Sequence, residues 1–554
     1  MSAETPPMVA TTAELLLARA EDDNTALLFE EKRWSWREFV AESETRARLV
    51  EAEFGAAARP EGQPLHIGVM MENTDEYMFW LGASILAGAT LVGVNRTRRG
   101  AELAGDIAGT DLRVMVCEEQ DREVLAAAVP DGLPVWTVGT TAYDGLLAAH
   151  AGGAPSIRPA ALDPTARMLL LFTSGSTGAP KAVICSSGRF AALCQLNPIE
   201  FTPDDVAYNA MPLFHGNALM AAWGPCLANG AAYAIRRKFS ASNFRGDLQR
   251  FGATFFNYVG RSLAYVLAQP EHPSEADNRL RFAFGTEASA ADRAEFERRF
   301  GCMLFESYGS SEGAIHIVRT PDTPEAALGK PQIGYDADVV DEDGNVCPPA
   351  ELDEHGNVLN PAEAIGEIRA LGGAARFEGY YRNPTATAER LRDGNFHTGD
   401  LAYRDADGFF YFAGRTADRL RVDSENLAAR PIEVILERFT GVHAAAVYPV
   451  PDPHTGDAVM AALDVDGDFS LKTFAADLAA EPDLSAKAVP RFVRLCDPIP
   501  VTATRKTDKA TLRRAGWHGV DVFECIDGAY QSVGAERAAV LDEEAARHRN
   551  PAAR

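Results

Sequence analysis

Short apolar runs alternate with amphipathic stretches along the first half of the chain. Residues 66–71 and 89–94 are apolar and β-prone, and residues 75–87 between them have the length and flanking residues of a helix. The same alternation continues with a helix at 100–109 and a strand at 112–117. Strand, helix and strand in this order predict βαβ units, and therefore an α/β fold with parallel sheets.

Beyond residue 330 the pattern changes to short alternating strands. Asp343-Gly344, His355-Gly356 and Asp407-Gly408 are hairpin turn signals, which predict a small antiparallel β-barrel. After Arg415 a compact α+β region runs to about residue 515, and a polar tail follows to 554. A chain of 554 residues is too long for one core, so we expect at least two domains.

The composition narrows the possible partners. The formal net charge is −26, which argues against nucleic acid or an anionic membrane surface as a partner. Eight scattered cysteines without CxxC spacing and the lack of a secretory signal predict reduced thiols and a cytoplasmic location. The uncharged run 79–94 is short for a transmembrane segment. The histidines do not form an HExxH or paired-ligand pattern, so we expect no structural metal.

The densest motif is the stretch 169–183, LLLFTSGSTGAPKAV, in which a strand-like run breaks into small polar residues. Glycines allow a close backbone approach to an anion, hydroxyls donate hydrogen bonds, and a lysine adds positive charge. The residues concerned are Thr173, Ser174, Gly175, Ser176, Thr177, Gly178 and Lys181. The GxxxxGK[ST] spacing of the common nucleotide P-loop is absent. A phosphate cradle explains this pattern better than the alternative, a flexible surface hairpin.

At these residues the sequence resembles the adenylate-forming superfamily of acyl-CoA synthetases, luciferases and peptide-synthetase adenylation domains. In that family this loop holds the β- and γ-phosphates of ATP. The motif residues at 95–100, 256–260 and 308–312 vary within the superfamily. In this sequence they look most like those of the branch of fatty-acid transport proteins and actinobacterial acyl-CoA synthetases. The resemblance implies a large N-terminal domain, 1–415, and a small mobile C-terminal domain, 416–554, with the hinge at Ala417.

A second motif, 308–313, places a carboxylate beside glycines after a predicted strand. Such a carboxylate suits Mg²⁺, which also takes phosphate oxygens, although base rates alone favour a solvated glutamate in a tight turn. The resemblance implies that Glu312 and Thr173 hold Mg²⁺ and that Tyr308 flanks the adenine, within a nucleotide-binding turn. That turn consists of Tyr308, Gly309, Ser310 and Ser311. Gly285, Thr286 and Glu287 would line the other side of the purine.

Two further positions match the family pattern. Asp400, in His397-Thr398-Gly399-Asp400, matches the ribose-binding aspartate, and Arg415 its partner; alone they would be a turn aspartate and a surface arginine. His215 matches the residue that gates the carboxylate pocket, with a core histidine as the alternative. The expected pocket residues are Asn217, Trp223, Tyr258, Arg261 and Phe284.

The terminal motif, 500–509, resembles the family segment whose lysine bonds the substrate carboxylate and the α-phosphate. The alignment assigns that role to Lys506, with Lys509 as a rival and Arg505 in place of the usual glycine. An ammonium group on a mobile arm suits charge stabilisation that is needed only in the transition state.

The resemblance implies an ATP-dependent ligase that uses Mg²⁺, forms an acyl adenylate with release of pyrophosphate and transfers the acyl group to CoA. The bulk of Trp223 and Phe284 and the charge of Arg261 favour a small or aromatic carboxylate. Ser424 replaces the usual glycine near the expected pantetheine channel, so CoA stays a possible acceptor. Two alternatives are an ATP-dependent diazotase, which adenylates nitrite and transfers the nitroso group to an arylamine, and a silent nucleotide- or acyl-binding protein. Small molecules are the expected partners, and the oligomeric state stays open.

Overall fold

The computed structural model describes most of the chain. The described residues are 8–55, 65–173, 181–196, 199–209, 211–286, 288, 290–353, 356, 358–422, 425–452, 456–481, 483–502 and 505–549. They fall into two compact units, of which unit 1 comprises residues 1–314 and 375–389, and unit 2 comprises residues 315–374 and 390–554. The boundary at 415/416 that the resemblance implies stays a prediction.

The strands are numbered in chain order. They are β1 Thr25–Phe29, β2 Lys32–Ser35, β3 His66–Met70, β4 Thr90–Gly93, β5 Leu112–Glu118, β6 Val135–Val138, β7 Arg167–Thr173, β8 Lys181–Ser186, β9 Val206–Asn209, β10 Ala232–Ile235, β11 Phe255–Val259, β12 Phe282–Thr286, β13 Met303–Gly309, β14 His316–Val318, β15 Lys330–Pro331, β16 Ala337–Val340, β17 Gly366–Ala370, β18 Leu391–Arg392, β19 Asn395–Arg404, β20 Phe410–Arg415, β21 Leu420–Val422, β22 Glu425–Leu427, β23 Val442–Asp452, β24 Gly456–Val465, β25 Phe492–Cys496, β26 Val522–Ile526 and β27 Ala529–Ser532.

The α-helices are numbered in the same way. They are α1 Thr12–Leu17, α2 Trp36–Phe54, α3 Asp75–Ala87, α4 Gly100–Ala108, α5 Arg122–Ala126, α6 Thr141–His150, α7 Ser187–Gln195, α8 Gly224–Asn229, α9 Phe244–Phe251, α10 Gly260–Leu267, α11 Ala290–Phe300, α12 Pro361–Ala364, α13 Pro384–Arg390, α14 Ala429–Leu436, α15 Leu471–Ala480, α16 Lys509–Ala515 and α17 Ala535–Arg549. A π-helical turn spans Ala218–Trp223, and a 3-10 turn spans Thr416–Asp418.

The first sheet of unit 1 has the order β6-β5-β3-β4-β7-β8. Its strands are parallel except for β8, which turns back along β7. All five residues of β3 are buried, as expected for a strand covered on both faces. Helix α3 begins where the Thr74 side chain accepts a hydrogen bond from the Tyr77 N–H and ends at Gly88, whose φ is +63°. The predicted βαβ unit is therefore confirmed.

The second sheet of unit 1 runs in the order β13-β12-β11-β9-β10-β1-β2. Strands β9 to β13 within it are parallel, so their carboxyl ends share one edge. A cluster of aromatic side chains, including Phe244, Phe256 and Phe296, packs below this sheet. Because loops at the carboxyl edge of a parallel sheet form ligand sites, the segments after β9, β12 and β13 are where chemistry is expected.

Unit 2 contains the antiparallel region predicted by the turn signals. Strands β16, β17, β19 and β18 form a sheet in that order, and β20 pairs with β19. Gly344, Gly356 and Gly408, the glycines of the predicted turns, all have φ between +82° and +86°. A second sheet, β22-β21-β24-β25-β26-β27 with β23 on β24, builds the α+β part. The mixed α/β fold class is thus confirmed.

The polar tail predicted after residue 515 is folded as far as residue 549, where the described part of the chain ends. Strand β26 pairs with β25, and α17 buries Ala538, Leu541 and Ala545 against the core of unit 2. These residues lie three and four positions apart, so they form one apolar stripe on a helix that is rich in charged residues elsewhere. The segment is polar on average, so its composition does not indicate this stripe. No helix of the described ranges is both long and apolar enough to cross a membrane.

A buried charge cluster ties the 3-10 turn at 416–418 to α14 and α16. Lys509 Nζ lies 2.7 Å from Glu433 Oε1 and 3.7 Å from Asp418 Oδ2, and Arg513 pairs with Asp418 at 2.5 Å. Burial alone would raise the pKa of Glu433, but the charges of Lys509 and Arg430 lower it below its ordinary value. Lys509, the first residue of α16, therefore ties this helix to α14 and to the 3-10 turn.

We expect Glu433→Gln to destabilise unit 2 by about 3 kcal/mol at neutral pH, because it leaves buried cations without their anion. The folded-state pKa of Glu433 is depressed, so its stabilisation is complete above the ordinary pKa of 4.5 and is lost as the pH falls below it. Urea unfolding from pH 7 to pH 3 should show the difference between parental protein and variant shrinking in acid. Glu536→Gln, at an exposed position of α17, is the control. A pH-independent difference would contradict this assignment.

Candidate active site

The two ends of the predicted phosphate loop face each other in unit 1. Strand β7 ends at Thr173 and β8 begins at Lys181, and these two residues are register partners. The Thr173 hydroxyl donates to the Lys181 carbonyl oxygen over 3.4 Å. The loop residues Ser174, Gly175, Ser176, Thr177 and Gly178 lie outside the described residues. The structure therefore fixes the two residues that flank this loop.

Lys181 is 8 % exposed at the start of β8. Its Nζ lies 5.3 Å from the centroid of the Tyr380 ring and 3.8 Å from Glu389 Oε2. The aromatic face stabilises the ammonium group without neutralising its charge. Lys181 is therefore held in place as a cation.

Tyr380 reaches this position because residues 379–381 pair with the free side of β8. Val183 and Tyr380 form an antiparallel bridge, the Ile184 N–H donates to Gly379 O, and the Tyr381 N–H donates to Ala182 O. The Tyr380 hydroxyl donates to Glu312 Oε1 over 2.8 Å. Tyr380 thus contacts the carboxylate of the second motif through its hydroxyl. It contacts the lysine of the first motif through the face of its ring.

The turn that carries Ser311 and Glu312 is fixed from below by Arg189 of α7. Arg189 donates to Ser311 O over 2.5 Å and to Ile184 O over 3.1 Å. Gly313 has a φ of +68°, and a Cβ there would collide with the Arg189 guanidinium. Only glycine satisfies both constraints, which explains the glycine after the carboxylate. Tyr308 and Gly309 end β13, and Ser310 starts the turn.

The donor set of this region fits Mg²⁺ bound together with phosphates. No group of three His, Cys, Asp or Glu side chains that could hold a metal is present in the described parts of the chain. Glu312 offers one hard carboxylate, and Thr173 offers a hydroxyl. Mg²⁺ in nucleotide sites takes one or two such ligands and completes its octahedron with phosphate oxygens and water. The residues present match that mode of binding.

The predicted purine wall lies at the carboxyl end of β12. Gly285 is packed so tightly against Tyr258 that a Cβ would lie 2.5 Å from the Tyr258 carbonyl oxygen. The Ala288 N–H donates to Glu306 Oε1 over 2.8 Å, and Arg293 donates to Glu306 Oε2 over 2.7 Å. Glu306 thereby anchors the segment after Thr286, whereas Glu287 itself lies outside the described residues.

Tyr258 stands behind this wall rather than in front of it. It is fully buried, and burial first, then the Glu306 charge, raises the pKa of its phenol far above the ordinary value. Trp223 is 1 % exposed and packs against Phe190 and Phe39, with ring centroids 5.9 Å and 6.4 Å away. Both belong to the packed interior, so the structure does not place either side chain on the surface of a pocket.

The His215 loop is anchored by asparagines. Strand β9 ends at Asn209, so residues 211–215 form a loop rather than the end of a strand. Asn73 donates to Met211 O and accepts from the Leu213 N–H, both over 2.9 Å. Asn209 also donates to Met211 O over 2.9 Å. This double clamp fixes the backbone that leads to His215, which is partly exposed.

The loop continues beside two other motifs. A Cβ on Gly216 would lie 2.9 Å from Leu171 Cδ1 and 3.4 Å from Ser311 Oγ, so β7, the His215 loop and the Glu312 turn converge. Asn257 donates to Asn217 Oδ1 over 2.5 Å. Phe284, in register with Asn257, is partly exposed. The side chain of Arg261 lies outside the described residues.

In unit 2 the predicted ribose residues are neighbours. Asp400 and Arg415 are register partners on β19 and β20, with Arg415 Nε 3.7 Å from Asp400 Oδ1. Glu367 of β17 accepts from the Gly399 N–H over 2.7 Å and lies 3.1 Å from His397 Nδ1. Gly399 has a φ of +75°. Glu367 therefore fixes the turn that presents Asp400, a role that the motif itself did not reveal.

The terminal motif forms a tight loop before α16. Thr502 N donates to Lys506 O over 2.8 Å, Val501 bridges to Thr507, and Lys506 N donates to Thr502 Oγ1 over 3.2 Å. Arg505 has a φ of +62°, a left-handed conformation that favours glycine. The family's usual glycine at this position is explained by that φ. Ala417, the predicted hinge residue, lies in the 3-10 turn Thr416–Asp418.

Two family models match the chain. The model described as AMP-binding enzyme matches residues 17–381, and the one described as AMP-binding enzyme C-terminal domain matches residues 431–506. The chain belongs to the AMP-binding enzyme family. Within this superfamily of adenylate-forming enzymes it lies in the acyl-CoA synthetase branch, as the motifs predict.

Two curated relatives of this family match over almost their full length. A steroid-22-oyl-CoA synthetase of Rhodococcus jostii is 48% identical over 95% of this chain and 93% of the relative. A medium/long-chain fatty-acid–CoA ligase of Mycobacterium tuberculosis is 40% identical over 92% and 97%. The chain is an ATP-dependent, adenylate-forming CoA ligase, with ATP and CoA as substrates.

Solved structures of the same fold agree. ATP-bound MatB from Rhodopseudomonas palustris superposes with a TM-score of 0.77 at 24% identity, covering 90% of this chain and 98% of MatB. A benzoate CoA ligase from Burkholderia xenovorans gives 0.77 at 20% identity, covering 91% and 99%. At these identities the likeness establishes the fold of this AMP-binding enzyme.

The Glu367 anchor leads to a prediction about nucleotide affinity. Glu367→Gln weakens the bond to the Gly399 N–H, so the turn that holds Asp400 loosens and the KM for ATP should rise about tenfold. The kcat should change less than threefold, because Asp400 itself remains. Steady-state kinetics with Glu363→Gln, an exposed position on α12, provide the control. An unchanged KM for ATP would show that Glu367 does not position the turn.

Proposed function

We propose that the enzyme activates a carboxylic acid carried on a ring system, with Mg²⁺ bound to ATP. The relative of 48% identity that acts on a steroid acyl group supports a ring-bearing acid. So does the partly exposed Phe284 beside the polar pair Asn217 and Asn257 on the carboxyl edge of the second sheet. A ring system needs apolar walls and few polar contacts, and Phe284 with the Asn217–Asn257 pair offers one of each kind.

The first half-reaction joins the acid to AMP. A carboxylate oxygen attacks the α-phosphorus of ATP, and pyrophosphate leaves with the bond electrons. Mg²⁺, when bound, neutralises phosphate charge. Glu312 and Thr173 would hold it, Lys181 binds the β- and γ-phosphates through its fixed ammonium, and Asp400 with Arg415 binds the ribose. Lys506 stabilises the charge that develops at the α-phosphate.

The second half-reaction transfers the acyl group to CoA. The thiol, as thiolate, attacks the carbonyl carbon of the adenylate, and AMP leaves with the carboxylate-derived oxygen. Ala417 is the proposed hinge for movement of residues 416–554 between the two steps. The pairing of Asp418 with Lys509 and Arg513 supports a pivot just before Asp418, because it fixes Asp418 to α16. Ser424 lies outside the described residues.

A substrate panel tests the ring-bearing acid. Pyrophosphate release should be fastest with a steroid side-chain acid or an aromatic acid such as benzoate, and at least tenfold slower at equal concentration with hexadecanoic acid. Thioester formation should follow only when CoA is present. A preference for hexadecanoic acid would contradict the proposal. Turnover of nitrite with an arylamine, in the absence of any carboxylate, would replace it with the diazotase alternative.

Alanine substitutions of the two lysines of the terminal motif should have different effects. Lys506→Ala should slow adenylate formation by about 10² or more, the usual loss for one transition-state charge contact, and leave thermal stability unchanged. Lys509→Ala should instead lower thermal stability, because it removes a cationic partner from the buried carboxylates of Glu433 and Asp418. Lys472→Ala on α15 is the control. Pyrophosphate release at the parental rate in Lys506→Ala would refute the assignment of the catalytic lysine.

A further inference from the structure

Tyr380 contacts both charged groups proposed to handle the triphosphate. Its hydroxyl donates to Glu312 Oε1 over 2.8 Å, and its ring centroid is 5.3 Å from Lys181 Nζ. It is 4 % exposed, and its N–H donates to Thr387 Oγ1 over 3.0 Å. Both the backbone and the side chain of this residue are therefore fixed.

The neighbouring Tyr381 provides an internal comparison. Successive side chains on an extended strand point to opposite faces. The Tyr381 hydroxyl donates to Asp111 Oδ2 over 2.6 Å, and its ring lies 5.0 Å from that of His66. Tyr381 thus fastens the 379–381 segment to the first sheet on one face, whereas Tyr380 faces the charged groups on the other.

We propose that Tyr380 is a positioning residue for nucleotide binding, with separate tasks for its hydroxyl and its ring. The hydroxyl orients the Glu312 carboxylate for the metal, and the ring holds the Lys181 ammonium for the phosphates. The hydroxyl task rests on the proposed metal role of Glu312. The ring task rests on the proposed phosphate role of Lys181.

The physical reason lies in restricted motion. A carboxylate bound through one oxygen has already lost most of its rotation, so the metal does not have to order it. The phenol is neutral, so it orients the carboxylate while keeping its negative charge. The ring likewise attracts the ammonium without cancelling the positive charge. Direct pairing of Lys181 with Glu312 would instead have occupied the carboxylate proposed to hold the metal; the carboxylate near Lys181 is that of Glu389, with Oε2 3.8 Å from Nζ.

The test is equilibrium binding of ATP by calorimetry, with Mg²⁺ and with EDTA. The ratio of the two dissociation constants measures how strongly the metal supports binding. Tyr380→Phe should lower that ratio about tenfold, in the range for loss of a residue that orients a metal ligand, and should leave binding in EDTA unchanged. Tyr381→Phe should leave both quantities within about twofold, the range of a residue remote from the ligand.

Two further variants separate the tasks. Glu312→Gln should lower the same ratio, and adding Tyr380→Phe to it should cause no additional loss, since the hydroxyl acts through that carboxylate. Tyr380→Leu removes the ring as well and should weaken ATP binding about threefold or more even in EDTA, the scale of a lost cation–π contact. Thermal melts of all variants verify that the fold is retained.

The outcomes are distinguishable. If Glu312→Gln leaves the ratio unchanged, the metal role of Glu312 in the proposed function fails. If Glu312→Gln lowers the ratio but Tyr380→Phe does not, or if the two effects add in full, the hydroxyl task is overturned while the proposed function stands. Parental binding of Tyr380→Leu in EDTA would overturn the ring task.

Discussion

The triphosphate of ATP must bind to a chain whose own formal net charge is −26, and this constraint applies to the phosphate site proposed in unit 1. The global field repels the ligand, so attraction has to come from fixed local groups. Lys181 is buried at the start of β8 and held by an aromatic face rather than by direct contact with Glu312. Glu312 is bound by a neutral phenol. Under the proposed function, Lys181 and Glu312 thereby do not neutralise each other before the nucleotide and its metal bind.

In unit 2 the two lysines of the terminal motif, Lys506 and Lys509, lie in different surroundings. Lys509 is committed to Glu433 and Asp418, and this pairing secures α16. Lys506 lies in the preceding loop, where Arg505 adopts a left-handed conformation. A structural lysine gains from burial and close partners, as Lys509 does. The transition-state role of Lys506 belongs to the proposed function and rests on its place in the terminal motif.

The sequence predicted most of the fold and the motif residues, because both depend on residues that are close together in the sequence. Periodicity located α3 and β3, and the turn glycines located the hairpins of unit 2. Tyr380, Glu306 and Glu367 escaped prediction because each acts through partners distant in sequence, and a tyrosine or glutamate in a strand carries no local mark of such contacts. The helix α17 was missed because its apolar stripe consists mainly of alanines.

The central claim is that a carboxylate oxygen attacks the α-phosphorus of ATP. Isotopic labelling tests it directly: an acid that is turned over is supplied with ¹⁸O in both carboxylate oxygens, together with ATP and CoA, and the products are analysed by mass spectrometry. The account predicts one ¹⁸O in AMP and none in pyrophosphate, because the bridging oxygen of the adenylate leaves with AMP. Label in inorganic phosphate with formation of ADP, or AMP without label, would contradict it.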